Sequence, residues 1–184
     1  PFDVPATLIF PRQASLLIEA DRSGRDQAIA IVQMVMARLL TSLPPGRARF
    51  TIIDPVGLGK NFAGMMHLAD YDDVLVTSRI WTEPQHIEQR LTDLTEQMEN
   101  IIQKYLRNEF KTIEEYNAHA GEVAEAFRIL VVANFPSGFT ESSARRLISI
   151  ISSGARCGVY TFMTVDANQM MPPGIDLNDI VPYC

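Results

Sequence analysis

Between Phe127 and Val132 the chain reads Phe-Arg-Ile-Leu-Val-Val, and Ile129 to Val132 are four branched aliphatic residues in succession. A strand with one wet face alternates apolar and polar side chains, so this run predicts a strand covered on both faces. Ser15–Ala20, Arg49–Pro55 and Gly158–Val165 read the same way, and Val74–Thr77 is a further strand candidate. Helical patterns separate these runs. Arg25 to Leu43 carries Ile29, Val32, Met36 and Leu40 on one stripe and is stopped by Pro44-Pro45-Gly46. Residues 83 to 110 place Ile87, Leu91, Leu94, Met98, Ile101 and Tyr105 on one seam, which is expected to pack on the sheet. Two shorter helices are expected at 112–123 and 140–153. Apolar strands alternating with helices require crossover connections, so the prediction is a three-layer α/β domain around a mostly parallel sheet. A single domain is expected over residues 1–184, with irregular ends at 1–14 and 168–184.

Composition narrows the function classes. The chain has 184 residues, 47% of them hydrophobic, enough for one sizeable core. Its net charge of −6 and scattered basic residues argue against a free-standing DNA-binding module, which needs a basic face. Cys157 and Cys184 suggest neither a disulfide framework nor a zinc site, so a reducing, cytoplasmic setting is expected. No apolar run reaches the ~18 residues of a membrane span, so no membrane contact is expected of this segment. The chain begins at Pro1 without a methionine and is expected to be a piece of something longer.

The chemistry to test first is phosphate binding, because a helix that begins just after a buried strand points free N–H groups at the loop. The phosphate-loop pattern G-x-x-x-x-G-K-[ST], laid over residues 19 to 26, gives Glu19, Gly24, Arg25 and Asp26, and only Gly24 matches. Glu19 removes a flexible residue and adds negative charge. Arg25 keeps a positive charge, but as a planar fork. Asp26 stands where a hydroxyl would ligate Mg²⁺. As plain structure the octet is a strand–helix turn capped by Ser23. A nucleotide-hydrolysing site also needs acids at the end of a central strand, one for Mg²⁺ and one for the attacking water. The corresponding positions hold Ala133, which offers no ligand, and Asn134, which can hydrogen-bond water but cannot take its proton. His67, His86 and His119 lack ligand-like spacing. Asp70-Tyr71-Asp72-Asp73 lacks the calcium-loop spacing and reads as a solvated turn, and Ser152-Ser153-Gly154 as a helix end.

Several segments, taken in order, resemble the motor domain of FtsK/SpoIIIE-type translocases, hexameric RecA-like ATPases that pump DNA and have relatives in type VII secretion. Ile52-Ile53-Asp54-Pro55 is similar to the family's I-D-P-K strand, with Val56 in place of the lysine. Met98-Glu99 with Tyr105, then Ile113 and Tyr116-Asn117, resemble its M-E-x-x-Y helix and the following I-x-x-Y-N. Phe127–Val132 sits where the Walker B strand comes, and Arg146-Leu147 through Gly158-Val159-Tyr160 is similar to its R-L-A…A-R-A-A-G-I-H segment. The family's A-T-Q-R-P strand end reads Thr164-Val165-Asp166-Ala167 here, without the glutamine and arginine. The resemblance covers about residues 15 to 180, and its departures cluster at the nucleotide site.

The resemblance implies a RecA-like P-loop fold whose cofactor site has degenerated. Gly24, Arg25 and Asp26 would be the remnant of the phosphate loop, and Asp54 and Asn134 the remnant of the Walker B region, with no catalytic residue and no metal ligand. No cofactor is expected, or ATP with Mg²⁺ if the site functions after all. The implied partners are other motor-type modules of the same chain or ring, and DNA for the longer protein only. Three readings stay open: a non-hydrolysing structural or regulatory module of a larger motor, an active ATP-binding translocase module completed by other residues or subunits, and a plain binding domain. Under the first, Arg25, Asp54, Asn134 and Asp166 are expected to gather at the carboxyl edge of the sheet, where open α/β sheets bind partners.

Overall fold

The computed structural model describes every residue except 1–6, Asp73, Ser78 and Asn108. Strands β1 (Leu16–Ala20), β2 (Ala48–Ile53), β3 (Phe127–Phe135) and β4 (Val159–Asp166) form one sheet in the order β1-β4-β3-β2, and every pairing is parallel. The connections supply the helices α1 (Arg25–Ser42), α2 (Pro84–Ile101), α3 (Ile113–Ala120) and α4 (Glu141–Gly154). A core on one face joins Ile29, Val32 and Met36 of α1 to Phe50, Ile129, Val131 and Phe162. The core on the other face joins α2, α3 and α4 to Ile53, Leu130, Val132 and Met163. Successive residues of β3 thus alternate between two apolar layers, which is why its sequence shows no polar alternation.

The α2 seam packs on the sheet as its spacing predicts. Ile87, Leu91, Leu94, Met98 and Ile101 are all buried, each worth roughly 1.5–3 kcal/mol of apolar transfer. The α-helix ends earlier than the expected residue 110, because Ile102–Leu106 widens into a π turn. A five-residue repeat keeps Leu106 on the buried side with Ile101, while Tyr105 turns onto the Tyr116 ring at 4.4 Å.

Two other boundaries differ from expectation. The candidate strand Val74–Thr77 is not a strand. The free edge of β2 instead meets two isolated parallel bridges, Phe50 to Val76 and Ile53 to Trp81. Between them the Thr77 hydroxyl donates to the Arg79 carbonyl at 3.3 Å. Strand β3 runs three residues beyond Val132, because a bulge re-registers it so that Phe135 pairs with Val165. Asn134 makes that bulge in the left-handed region at φ 57°, which asparagine tolerates better than branched residues. The described parts of the expected irregular ends, 7–14 and 168–184, contain short turns and one antiparallel bridge, Ile9 to Gln13; residues 1–6 lie outside the described residues.

Candidate functional site at the carboxyl edge

Only four residues, Asp21 to Gly24, join β1 to α1. Glu19 and Ala20 belong to the strand, and Arg25 and Asp26 to the first turn of the helix, so little backbone is left to wrap a phosphate. The turn is held by Asp21. Its Oδ1 accepts from the Ser23 amide at 2.8 Å, the Ser23 hydroxyl at 2.7 Å and the Gly24 amide at 3.0 Å. These amides precede the helix and would be the first to face an anion, and a carboxylate of the chain already engages them. The Ser23 hydroxyl, followed by the two amides, holds Asp21 below the usual carboxylate range.

The expected Ser23 cap is therefore corrected. The N-cap residue is Gly24, no side chain caps the helix, and Ser23 donates backwards to Asp21. Gly24 itself has φ −91°, and a Cβ there would meet only ordinary contacts, 3.5 Å to the Ala20 Cβ. The one residue that matches the phosphate-loop pattern thus occupies a position that does not require glycine. Asp21 was the residue missed from sequence. Its signal was present in part, since an Asp in a turn can accept from the amide two residues on, the Asx turn.

Arg25 Nη2 pairs with Asp166 Oδ2 at 2.8 Å, across the ends of α1 and β4. Asp166 is buried, and the Asn168 amide first, then the Arg25 guanidinium, hold its carboxyl below the ordinary range against the opposing pull of burial. Arg25, at the lysine position of the overlaid pattern, is thus neutralised by the residue at the strand end. Asp26 is exposed, and among the described residues it forms no ion pair.

Asp54 is fully buried and belongs to its own loop. Its Oδ1 accepts from the Gly57 amide at 3.0 Å and Asn61 Nδ2 at 3.1 Å, and its Oδ2 from the Asn61 amide at 3.2 Å. A Cβ on Gly57 would stand 2.5 Å from Asp54 Oδ2, so a larger residue there would push this carboxylate off its donors. Asn134 lies in β3 between these two groups. Its amide donates to the Thr164 hydroxyl at 2.8 Å, and its buried Nδ2 has no partner. Ala133 faces the α1-side core.

Strand order places Asp166, Asn134 and Asp54 along the same edge, but only Arg25 and Asp166 are in contact; no hydrogen bond or ion pair links Asp54 or Asn134 to that pair among the described residues. At that shared edge the four expected groups form one ion pair, one loop clamp and one bulge. The turn amides are engaged, the cation is paired and no free acid ends β3. Among the described residues no three His, Cys, Asp or Glu side chains gather as metal ligands. The three histidines lie apart, His67 near Asp70 at 3.6 Å and His86 against the Trp81 ring at 5.8 Å. Of the Asp70–Asp73 turn, Asp73 lies outside the described residues. Among the described residues no helix is long and apolar enough to cross a membrane.

No family model matches the chain, and no curated protein matches its sequence. Solved structures do match. The chain superposes on EssC (ATPases 2 and 3) from Geobacillus thermodenitrificans with a TM-score of 0.65 at 16% identity, covering 92% of this chain and 31% of that one. The cytoplasmic domain of the type VII secretion ATPase EccC of Thermomonospora curvata gives 0.66 at 16% identity, with 92% and 19% covered. The pCW3 conjugation coupling protein TcpA, a monomer form with ATPγS, gives 0.64 at 16% identity, with 84% and 43% covered. The chain spans less than half the length of each. At this identity the likeness is one of fold, and the chain carries the RecA-like three-layer α/β fold of these secretion and conjugation proteins.

Proposed function

We propose that this chain is a degenerate FtsK/SpoIIIE-like motor module, a structural or regulatory part of a larger translocating machine rather than its engine. The observation that carries the reading is the self-satisfied turn before α1. Asp21 engages the two amides that would receive a phosphate, and Asp166 neutralises Arg25 at 2.8 Å. An incoming triphosphate would have to displace one carboxylate and separate another from its cation, with no acid at Ala133 or Asn134 to hold Mg²⁺. Selection on such a module acts through its surfaces, toward neighbouring modules of the same chain or ring, and through them toward DNA or protein cargo.

The test combines titration calorimetry with ATP and Mg²⁺ and a phosphate-release assay on the purified chain. Neither saturable binding in the low-micromolar range nor turnover is expected. Turnover of about one per second, lost in Arg25→Ala, would return the chain to the active ATPases.

A further inference from the structure

The opposite end of the sheet holds a second polar site, unrelated to the nucleotide edge. Arg49 and Arg128 are register partners near the amino ends of β2 and β3, so both side chains leave the same face of the sheet. Like charges directly opposite each other on a ladder repel. Both line a cavity of about 300 Å³ beneath α2, to which Arg90 and Gln97 of the helix and Thr51 and Thr77 also contribute.

The cations of this cavity are incompletely matched. Arg128 is buried and donates to Glu125 Oε1 and the Ala126 carbonyl, each at 3.1 Å. Arg90 pairs with Asp93 at 2.8 Å and stacks on Trp81 at 4.7 Å, yet its buried Nε has no acceptor. Arg49 is exposed at the mouth of the cavity and has no ion pair among the described residues. Asp72 of the adjoining segment turns its Oδ1 to the Val74 amide at 3.0 Å. Among the described residues, three guanidiniums therefore face two carboxylates, those of Glu125 and of Asp93, which also lines the cavity, in a chain whose net charge is −6. A buried donor without an acceptor and a like-charge pair across a ladder are relieved together by one kind of occupant, a compact anion with several acceptor oxygens.

We propose that this cavity is a phosphate-binding site, with Arg49, Arg90 and Arg128 as its cationic wall and Thr51 as a hydroxyl donor. Guanidinium forks suit tetrahedral oxyanions because each can donate two parallel hydrogen bonds to one phosphate. Free phosphate and the phosphate of a monoester present the same group to the wall.

The experiment is calorimetric titration of the chain with inorganic phosphate and, separately, with AMP, in low-salt buffer free of other oxyanions. Inorganic phosphate is expected to bind saturably at or below about 1 mM, and Arg49→Gln to weaken it about tenfold or more. The melting temperature of unliganded Arg49→Gln is expected not to fall, because the change removes a repulsion. Tighter binding of AMP assigns the site to a phosphate carried on a larger molecule, and weaker binding assigns it to the free anion. An absence of saturable heat, an unchanged affinity in both Arg49→Gln and Arg90→Lys, or a loss that follows Arg25→Gln instead would overturn the proposal.

Discussion

Asp54 shows how a single side chain can look like chemistry and serve as architecture. It is fully buried at the end of β2, and its two oxygens take three N–H donors from Gly57 and Asn61. Asp54→Ala strands those donors in a half-buried loop and is expected to cost about 2–3 kcal/mol in urea unfolding. Gly57→Ala should destabilise as well, because its new methyl would lie against the same carboxylate. A loss under about 0.5 kcal/mol in Asp54→Ala would mean the clamp is not what closes the loop. From sequence, Asp54 belonged with the remnant nucleotide site, since nothing in Ile52-Ile53-Asp54-Pro55 shows that the acid's partners lie three and seven residues ahead. Asp21 was legible in part. Its Asx pattern is local, but its meaning, a carboxylate engaging amides before a helix, depends on the turn being four residues long.

At the level of elements, periodicity was legible and termini were not. The α2 seam and the unbroken apolar run of β3 read correctly because burial on one or both faces leaves a regular mark along many residues. The end of β3 did not, because its extension depends on a bulge at Asn134 and on pairing of Phe135 with Val165 in another strand. The edge segment near Val76 misread for the opposite reason, as the apolar run there makes only one bridge, Val76 to Phe50. Helix α4 gives the element its own prediction. Thr140 caps it, accepting from the Ser143 amide at 3.1 Å while the Ser143 hydroxyl accepts from the Thr140 amide at 2.8 Å. Thr140→Ala is expected to cost about 0.5–2 kcal/mol, and Thr140→Ser to recover most of it. Equal losses for the two variants would indicate packing of the threonine methyl rather than capping.

For the whole molecule, two apolar layers grip one sheet, and two carboxylates held below their ordinary range lie together at one corner of it. Asp21, through the Ser23 hydroxyl first, and Asp166, through the Asn168 amide first and Arg25 after it, both lie below the ordinary carboxylate range. They hold the turn before α1 and the junction of α1 with β4. A carboxyl group with a lower pKa folded than unfolded binds fewer protons in the native state. Its contribution is fully present above the unfolded value, near about 4, and is lost as pH falls through the folded value. The net charge of −6 acts in the opposite sense, since mild acidification first relieves repulsion across the surface. The corner should therefore show itself only below about pH 4, as a fall in melting temperature. The double variant Asp21→Ala, Asp166→Asn is expected to melt lower than the parent at neutral pH and to lose part of this acid slope, so that the two curves approach each other as pH drops. If the double variant keeps the full slope, carboxylates elsewhere set the acid limb, and the α1 corner is held by its apolar contacts alone.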